Sequence, residues 1–346
     1  MTEKHNEKNI FLHVGHGKTG SSAIQSFLAL NTSLLLQHGF DYPARRALKL
    51  AREGKTTSGN LDNTTPSSWL QEVKRATKSA ACANVLFSHE RLFHLIRKEP
   101  KYLGLATKHY HTTVILYVRN PLDHFFSAYG QAVKRHGETR EIEKWVDKYN
   151  QPIRVLDFLN ICKNLDVPVI VRNYSNVNDI ERSFAEMLLG DKAEEFLESS
   201  IKPQCRVNRS LTRAEYELLR QFNRYSDVSS GEIISTNLVD SLPHIISERD
   251  YVSEHSLNKI RARFGKTVDE INNFLDGDQK LELPVSIEPS EPSMLYSFSR
   301  EQIEVIAKSV SALIERERKA DALKRSRAPL PLTLLNRLRG KTQRLL

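Results

Sequence analysis

Over the first 190 residues, short apolar runs alternate with stretches whose apolar residues recur at helical spacing. The run Ile10–Val14 predicts a buried strand, and Ala23 to about Leu36 predicts the helix that follows. Gly39-Phe-Asp-Tyr-Pro43 predicts a turn and a short second strand. Residues 44–66 are polar and carry Gly54, Gly59 and Pro66, which predicts a long surface loop near the mouth of a site. A helix over Ser67–Ala81, with Ser67 or Ser68 as N-cap, precedes a third strand at Asn84–Ser88. Helices are expected at Glu90–Lys98 and 101–111. Thr112–Val118 is the strongest strand, continuous, apolar and β-branched, as in a buried parallel sheet. It ends in Arg119-Asn-Pro121, and Pro121 suits the first turn of a helix reaching about Arg135. Ile153–Asn164 predicts a helix, Val167–Arg172 a strand, and Asn178–Leu189 a helix stopped by Gly190.

Strand–helix alternation of this kind implies an α/β fold, a parallel sheet flanked by helices. Beyond residue 211 the pattern is helical only, at Thr212–Tyr225, Ser256–Leu275 and Ser299–Ala322. The expected organisation is an α/β core over 1–210, a helical C-terminal extension of the same domain over 211–322, and a basic tail over 323–346.

Charge alters this picture at one end. The formal net charge is +9, yet seven basic residues and no acidic one lie between Ala322 and Leu346. The body is therefore nearly neutral, which argues against a nucleic-acid groove across it. The tail alternates leucines with basic residues. That composition fits a solvated end, or peripheral contact with an anionic membrane surface. No apolar run approaches the roughly 20 residues of a membrane span. The polar opening Met1–Asn9 has no signal-peptide pattern, so a cytoplasmic chain is expected, with peripheral contact at the inner membrane surface as the alternative to a solvated tail. Cys82, Cys162 and Cys205 are too far apart for a disulfide framework or a zinc site, which suits a reducing compartment.

The chemistry concentrates after the first strand, in Gly15-His-Gly-Lys-Thr-Gly-Ser-Ser22. Glycines let a backbone come close to an anion, and the first turn of a helix offers open N–H groups and a positive dipole end. Gly17-Lys18-Thr19 resembles the end of a Walker A loop, but that pattern needs a glycine five residues before Gly17, where Leu12 stands. A nucleotide triphosphatase also needs an aspartate for magnesium at a strand end. The strongest strand ends in Arg119 instead, which points to a second anionic group and to no metal.

These residues resemble the sulfotransferases that use 3′-phosphoadenosine 5′-phosphosulfate (PAPS), closest to the bacterial carbohydrate-type group. His13-Val-Gly-His-Gly-Lys-Thr-Gly-Ser-Ser-Ala-Ile-Gln25 is similar to their 5′-phosphosulfate loop. Val118-Arg119 with Ser127 eight residues after the arginine resembles their 3′-phosphate motif. Val85-Leu-Phe-Ser-His-Glu90 resembles a strand-end Ser-x-Glu segment, and Val207-Asn-Arg-Ser-Leu211 is also similar. The resemblance spans about residues 10–215. It implies a P-loop-type sheet, PAPS as co-substrate with 3′,5′-ADP as product, and no metal. It also implies sulfuryl transfer to a hydroxyl or amine of an acceptor, a carbohydrate or glycolipid.

On that resemblance, Lys18 stabilises charge on the leaving phosphate, and His16, Gly17, Lys18, Thr19, Gly20, Ser21 and Ser22 hold the 5′ end. Arg119 and Ser127 hold the 3′-phosphate. The base that takes the acceptor proton is Glu90 or His89; His16 and His89 are departures from the family pattern. Asn208 and Ser210 either close over the co-substrate or, for Ser210, cap the next helix. The competing classes are a P-loop kinase or nucleotide triphosphatase, and a non-catalytic binding module of the same fold. In the plainest alternative, Arg119 simply pairs with Asp123.

Overall fold

A computed structural model describes residues 8–43, 45–53, 57, 59–61, 65, 67–203, 209–226, 228–246, 252–283 and 296–327. Its strands are β1 (Asn9–Val14), β2 (Phe40–Asp41), β3 (Asn84–His89), β4 (His111–Val118) and β5 (Val169–Asn173). Its helices begin with α1 (Ser21–Leu30), α2 (Thr32–Gln37), α3 (Arg45–Arg52), α4 (Ser68–Lys78), α5 (Leu92–Lys98) and α6 (Lys101–Thr107). They continue with α7 (Pro121–His136), α8 (Ile142–Trp145), α9 (Gln151–Asn164), α10 (Ile180–Leu189) and α11 (Ala193–Ser199). The last four are α12 (Arg213–Tyr225), α13 (Val228–Ser241), α14 (Glu254–Asn272) and α15 (Arg300–Arg327).

The chain divides into two units. The first comprises 1–131, 140–206 and 249–293. It is an α/β unit whose five strands are all parallel, in the order β2-β3-β1-β4-β5. β1 is central. Helices cover both faces of the sheet, so its strands are buried on both sides: Ile10, Leu12 and Val14 of β1, and Val114 to Val118 of β4, have almost no exposure. One face carries Ile24, Phe27 and Leu28 of α1 with Phe184 of α10 and Phe196 of α11, packed on Leu86, Ile115 and Tyr117. Each such side chain contributes about 1.5–3 kcal/mol by leaving water. Elsewhere in this unit Phe93 stacks on Phe158 with ring centroids 5.0 Å apart.

Three expectations are corrected here. The first helix does not run from 23 to 36. Asn31 separates α1 from α2, its side-chain amide donating to the carbonyls of Phe27 and Ile201, 2.8 Å each, while its Oδ1 accepts from Ile201 N–H at 2.7 Å. A long-range bond set of this kind leaves no local trace in the sequence. Second, the stretch 44–66 is not all surface loop. It contains α3, which packs on α1 and buries Ala47 and Ala51. Further on, Gly59 and Asn60 dock on the end of β3. Asn60 accepts from Ser88 N–H (2.9 Å) and donates to Leu86 O (2.9 Å), while its own N–H donates to Ser88 O (3.1 Å). Gly59 has φ +105°, and a Cβ there would lie 1.8 Å from Ser88 O. Third, β5 is 169–173, two residues later at its start than the run 167–172 suggests.

The helix expected over 256–275 is α14, and it belongs to the first unit. It packs on α9, and its N-cap Ser253 hydroxyl donates to Glu143 Oε2 (2.9 Å). The second unit comprises 132–139, 207–248 and 294–346 and holds α12, α13 and α15. α13 was not anticipated, because Gly231 and the run of serines around it obscure its apolar spacing. α12 begins as a capping box: Glu215 N–H donates to Thr212 Oγ1 at 3.3 Å and Thr212 N–H to Glu215 Oε2 at 2.9 Å. The unit's dividing lines therefore do not follow the chain at residue 210. Residues 328–346, most of the basic tail, lie outside the described residues. Among the described residues no helix is long and apolar enough to cross a membrane.

Candidate functional site

With β3 and β4 on either side of β1, the C-terminal ends of three parallel strands meet. Open α/β sheets bind ligands at this kind of edge, where the strand order reverses. β1 delivers Gly15–Gly20, β3 delivers His89 and Glu90, and β4 delivers Arg119. The tertiary pairing thus brings together residues separated by more than 100 positions.

The β1–α1 loop has left-handed backbone at Gly17 (φ 84°), Lys18 (φ 61°) and Gly20 (φ 75°). Gly20 is the N-cap of α1, and no side chain caps that helix. Gly15 is required by space: a Cβ would sit 2.4 Å from Ser21 Oγ and 3.4 Å from Glu90 Cα. Gly20 is held against Tyr174 and Ile180, whose atoms a Cβ would meet at 2.8 and 3.0 Å. The hydroxyls of Thr19 and Ser21 are buried without a hydrogen-bond partner among the described residues. Buried hydroxyls nearly always have partners, so two orphans at a helix N-terminus mark a place where an oxyanion fits.

Lys18 Nζ donates to Gln131 Oε1 of α7 at 2.7 Å. Arg119 Nη1 donates to the carbonyl of Lys18 at 3.1 Å, and its guanidinium lies over the Tyr174 ring, 5.3 Å from the centroid. Arg119 is thereby tied to the loop itself. Asp123 accepts from Ser175 Oγ (2.9 Å), within a network that also joins Asn120 and Asn173. Ser127 is half-buried on α7, three residues after His124 and four before Gln131, so helical geometry places all three on one face.

Ser22 Oγ donates to Glu90 Oε1 at 3.4 Å. His89 is buried, and its Nδ1 accepts from Arg91 N–H at 3.0 Å. A neutral ring whose Nδ1 accepts must carry its proton on Nε2, which leaves it no uncommitted lone pair. His16 is buried too, its ring 5.2 Å from that of His124 and 5.4 Å from that of Phe93. With Arg119, His124, Tyr149 and Gln151 it lines an internal cavity of about 10 Å³, room for one water. Asn208 lies outside the described residues. Ser210 is exposed, in the second unit, and the cap of α12 is Thr212 rather than Ser210.

Gln131, His124 and Tyr174 were missed from the sequence. The first two carry a signal in retrospect, since they continue the helical stripe through Ser127. Tyr174 carries none, because its neighbours Gly20 and Arg119 reach it only through the sheet.

Three imidazoles near the site, His13, His16 and His124, stay neutral in the fold, and burial pushes His124 well below its ordinary value. Burial lowers His13 from its ordinary 6.5 to about 3, and burial, with Arg119 and His94 nearby, lowers His16 to about 4. His13 Nδ1 bonds Ser88 Oγ at 2.8 Å. In the unfolded chain all three rings protonate near 6.5, so the unfolded state binds more protons below that pH. Stability therefore falls on acidification from about 6.5 toward 4, by up to roughly 1.4 kcal/mol per pH unit for each ring. Thermal melts at pH 7.5, 6 and 5 should show a falling midpoint, and one that stayed flat or rose would contradict these assignments.

Among the described residues no group of three or more His, Cys, Asp or Glu side chains is arranged to hold a metal ion. The chain matches no family model, no curated protein and no solved structure with which it was compared.

Proposed function

We propose that the chain is a PAPS-dependent sulfotransferase of the P-loop type, acting on a hydroxyl or amine of a carbohydrate or glycolipid. The observation that carries this reading is the coupling of two cations across adjacent strand ends: Arg119 of β4 bonded to the backbone of Lys18 in the β1–α1 loop. A ligand with anions at both ends matches that pair. The orphaned Thr19 and Ser21 hydroxyls fit the 5′-phosphate, together with the N–H groups at the start of α1 and Ser22. Arg119 and Ser127 fit the 3′-phosphate.

PAPS supplies an activated sulfuryl group. Lys18 has three donors, so it can keep its bond to Gln131 while a second proton meets the oxygen where negative charge develops. Glu90, half-buried beside Ser22, takes the acceptor proton in this scheme. His89 is the weaker choice because its Nδ1 is committed to Arg91.

One observation favours a second reading. The Glu90 carboxylate beside the Ser22 hydroxyl is also the pairing that a magnesium-dependent phosphotransferase uses next to its phosphate loop. Thermal shift separates the two, because a ligand that binds only the folded state raises the melting midpoint. The expected result is stabilisation by 3′,5′-ADP, with sulfate-labelled PAPS passing its label to a glycan in a panel of glycans, lipids and small alcohols. Stabilisation by ATP with magnesium and none by 3′,5′-ADP would favour the kinase reading and remove the first.

A further inference from the structure

The first unit carries a second cavity, of about 440 Å³, lined by Arg172, Asn176, Asn178, Asp179, Arg182 and Gln279 among others. It shares no residue with the loop that follows β1. Its position follows from register. Tyr117 of β4 pairs with Arg172 of β5, so the two side chains lie side by side on one face of the sheet. That face is the one covered by α10. Tyr117 is buried and its hydroxyl bonds Ser183 Oγ of α10 at 3.0 Å. β5 is the last strand of the sheet, so Arg172, unlike Tyr117, reaches the open side.

The charges around the cavity are unequal in their commitments. Asp179 caps α10 by accepting from Arg182 N–H (2.9 Å) and pairs with Lys202 Nζ (3.0 Å). The Arg182 guanidinium pairs with Glu194, and with Glu186 at 3.8 Å. Two carboxylates line the cavity, Asp179 and Glu186: Asp179 is matched by Lys202, while Glu186 shares the single Arg182 charge with Glu194. Arg172 has no ion pair among the described residues, so its guanidinium fork is not committed to either carboxylate of the lining. A guanidinium fork matches a carboxylate through two parallel hydrogen bonds. The amides of Asn178 and Gln279 stand nearby. Gln279 is fixed because its Oε1 accepts from Asn173 N–H at 3.1 Å. The cavity volume lies in the range of small-molecule sites.

We infer that this cavity, between the edge strand and α10, binds a small hydroxylated carboxylate, with Arg172 holding the carboxylate and the amides facing its hydroxyl groups. This site is independent of the sulfotransferase reading.

Calorimetric titration of the full chain with gluconate, glucose and inorganic sulfate tests it. Gluconate should bind saturably, glucose should not, and sulfate should bind more weakly than gluconate because it engages Arg172 alone. Arg172→Gln should weaken gluconate binding at least about tenfold, and Arg172→Lys, which keeps charge but loses the fork, should fall between. Lys18→Ala should leave gluconate binding unchanged. In the wild-type chain, gluconate should also shift the Arg172 Nε–H resonance, a readout that needs no variant. The inference is overturned if wild type does not bind gluconate, if glucose binds, or if sulfate binds as tightly as gluconate. It is equally overturned if Arg172→Gln retains full affinity or the Arg172 resonance stays in place.

Discussion

Lys18→Ala is expected, on the proposed sulfotransferase reading, to lower sulfuryl transfer at least about a hundredfold, the scale on which removal of one preorganised electrostatic donor acts. The reason is local. Lys18 is held in a left-handed backbone conformation, its carbonyl fastened by Arg119 and its ammonium by Gln131. Few degrees of freedom remain, so the charge stands ready without reorganisation. Alanine occupies the same backbone region at similar strain, so the fold should survive and the melting midpoint should move little. Gln131→Ala removes the tether but leaves the charge, and should cost clearly less activity than Lys18→Ala. Initial rates of label transfer, read beside melting curves, check both. Full activity in Lys18→Ala would remove the proposed role of the loop.

The largest effect on stability is expected in the second unit. Arg209 and Glu215 form a bidentate pair, Nη1 to Oε2 and Nη2 to Oε1 at 2.7 Å each, with side chains 4% and 0% exposed. Arg209 also donates to the carbonyls of Leu242, Leu238 and Ser210. Glu215 accepts in addition from Gln302 Nε2 (2.8 Å) and Thr212 N–H. This one pair ties α12, α13 and α15 together. Burial alone would raise the Glu215 carboxyl, but the bonds from Arg209, Gln302 and Thr212 outweigh it and hold the group below its ordinary value.

Arg209→Ala strands a carboxylate in the interior and should destabilise by about 3–5 kcal/mol. The double variant Arg209→Met, Glu215→Leu should recover a large part of that loss, since it strands no charge. Urea melts of Arg209→Met, Glu215→Leu and the double close the cycle. Additive losses with no coupling would show that the pair is not the unit's keystone. Because the carboxyl is depressed in the fold, its contribution is present above the ordinary carboxylate range and is lost as pH falls through it.

Arg209 also illustrates what could be read in advance. Its neighbourhood, Val207 to Leu211, resembles a motif near a co-substrate, and Thr212-x-x-Glu215 has the spacing of a capping box. That Arg209 and Glu215 share one buried bond set is a fact of packing, invisible in spacing. Asn60 behaves similarly. As a residue in a polar stretch it reads as loop, yet it completes the hydrogen bonding at the end of β3. Its partners lie more than 25 residues away, so no local pattern records them.

The site divides along the same line. The alternation of strands and helices, the glycine–lysine loop after β1 and the strand-end position of Arg119 are local properties. Periodicity and backbone chemistry act over a few residues, so the sequence alone determined them. It also determined that the loop is too short at its front for a Walker A pattern. Only the tertiary structure decided that β1 lies between β3 and β4, and hence that Glu90, Lys18 and Arg119 share one edge. It also decided that Gln131 rather than solvent holds Lys18, that His16 is buried and neutral, and that Arg172 faces a cavity without an ion-pair partner among the described residues. Strand order and side-chain burial depend on contacts between distant segments, and the energy of those contacts belongs to the folded assembly rather than to any one stretch of chain.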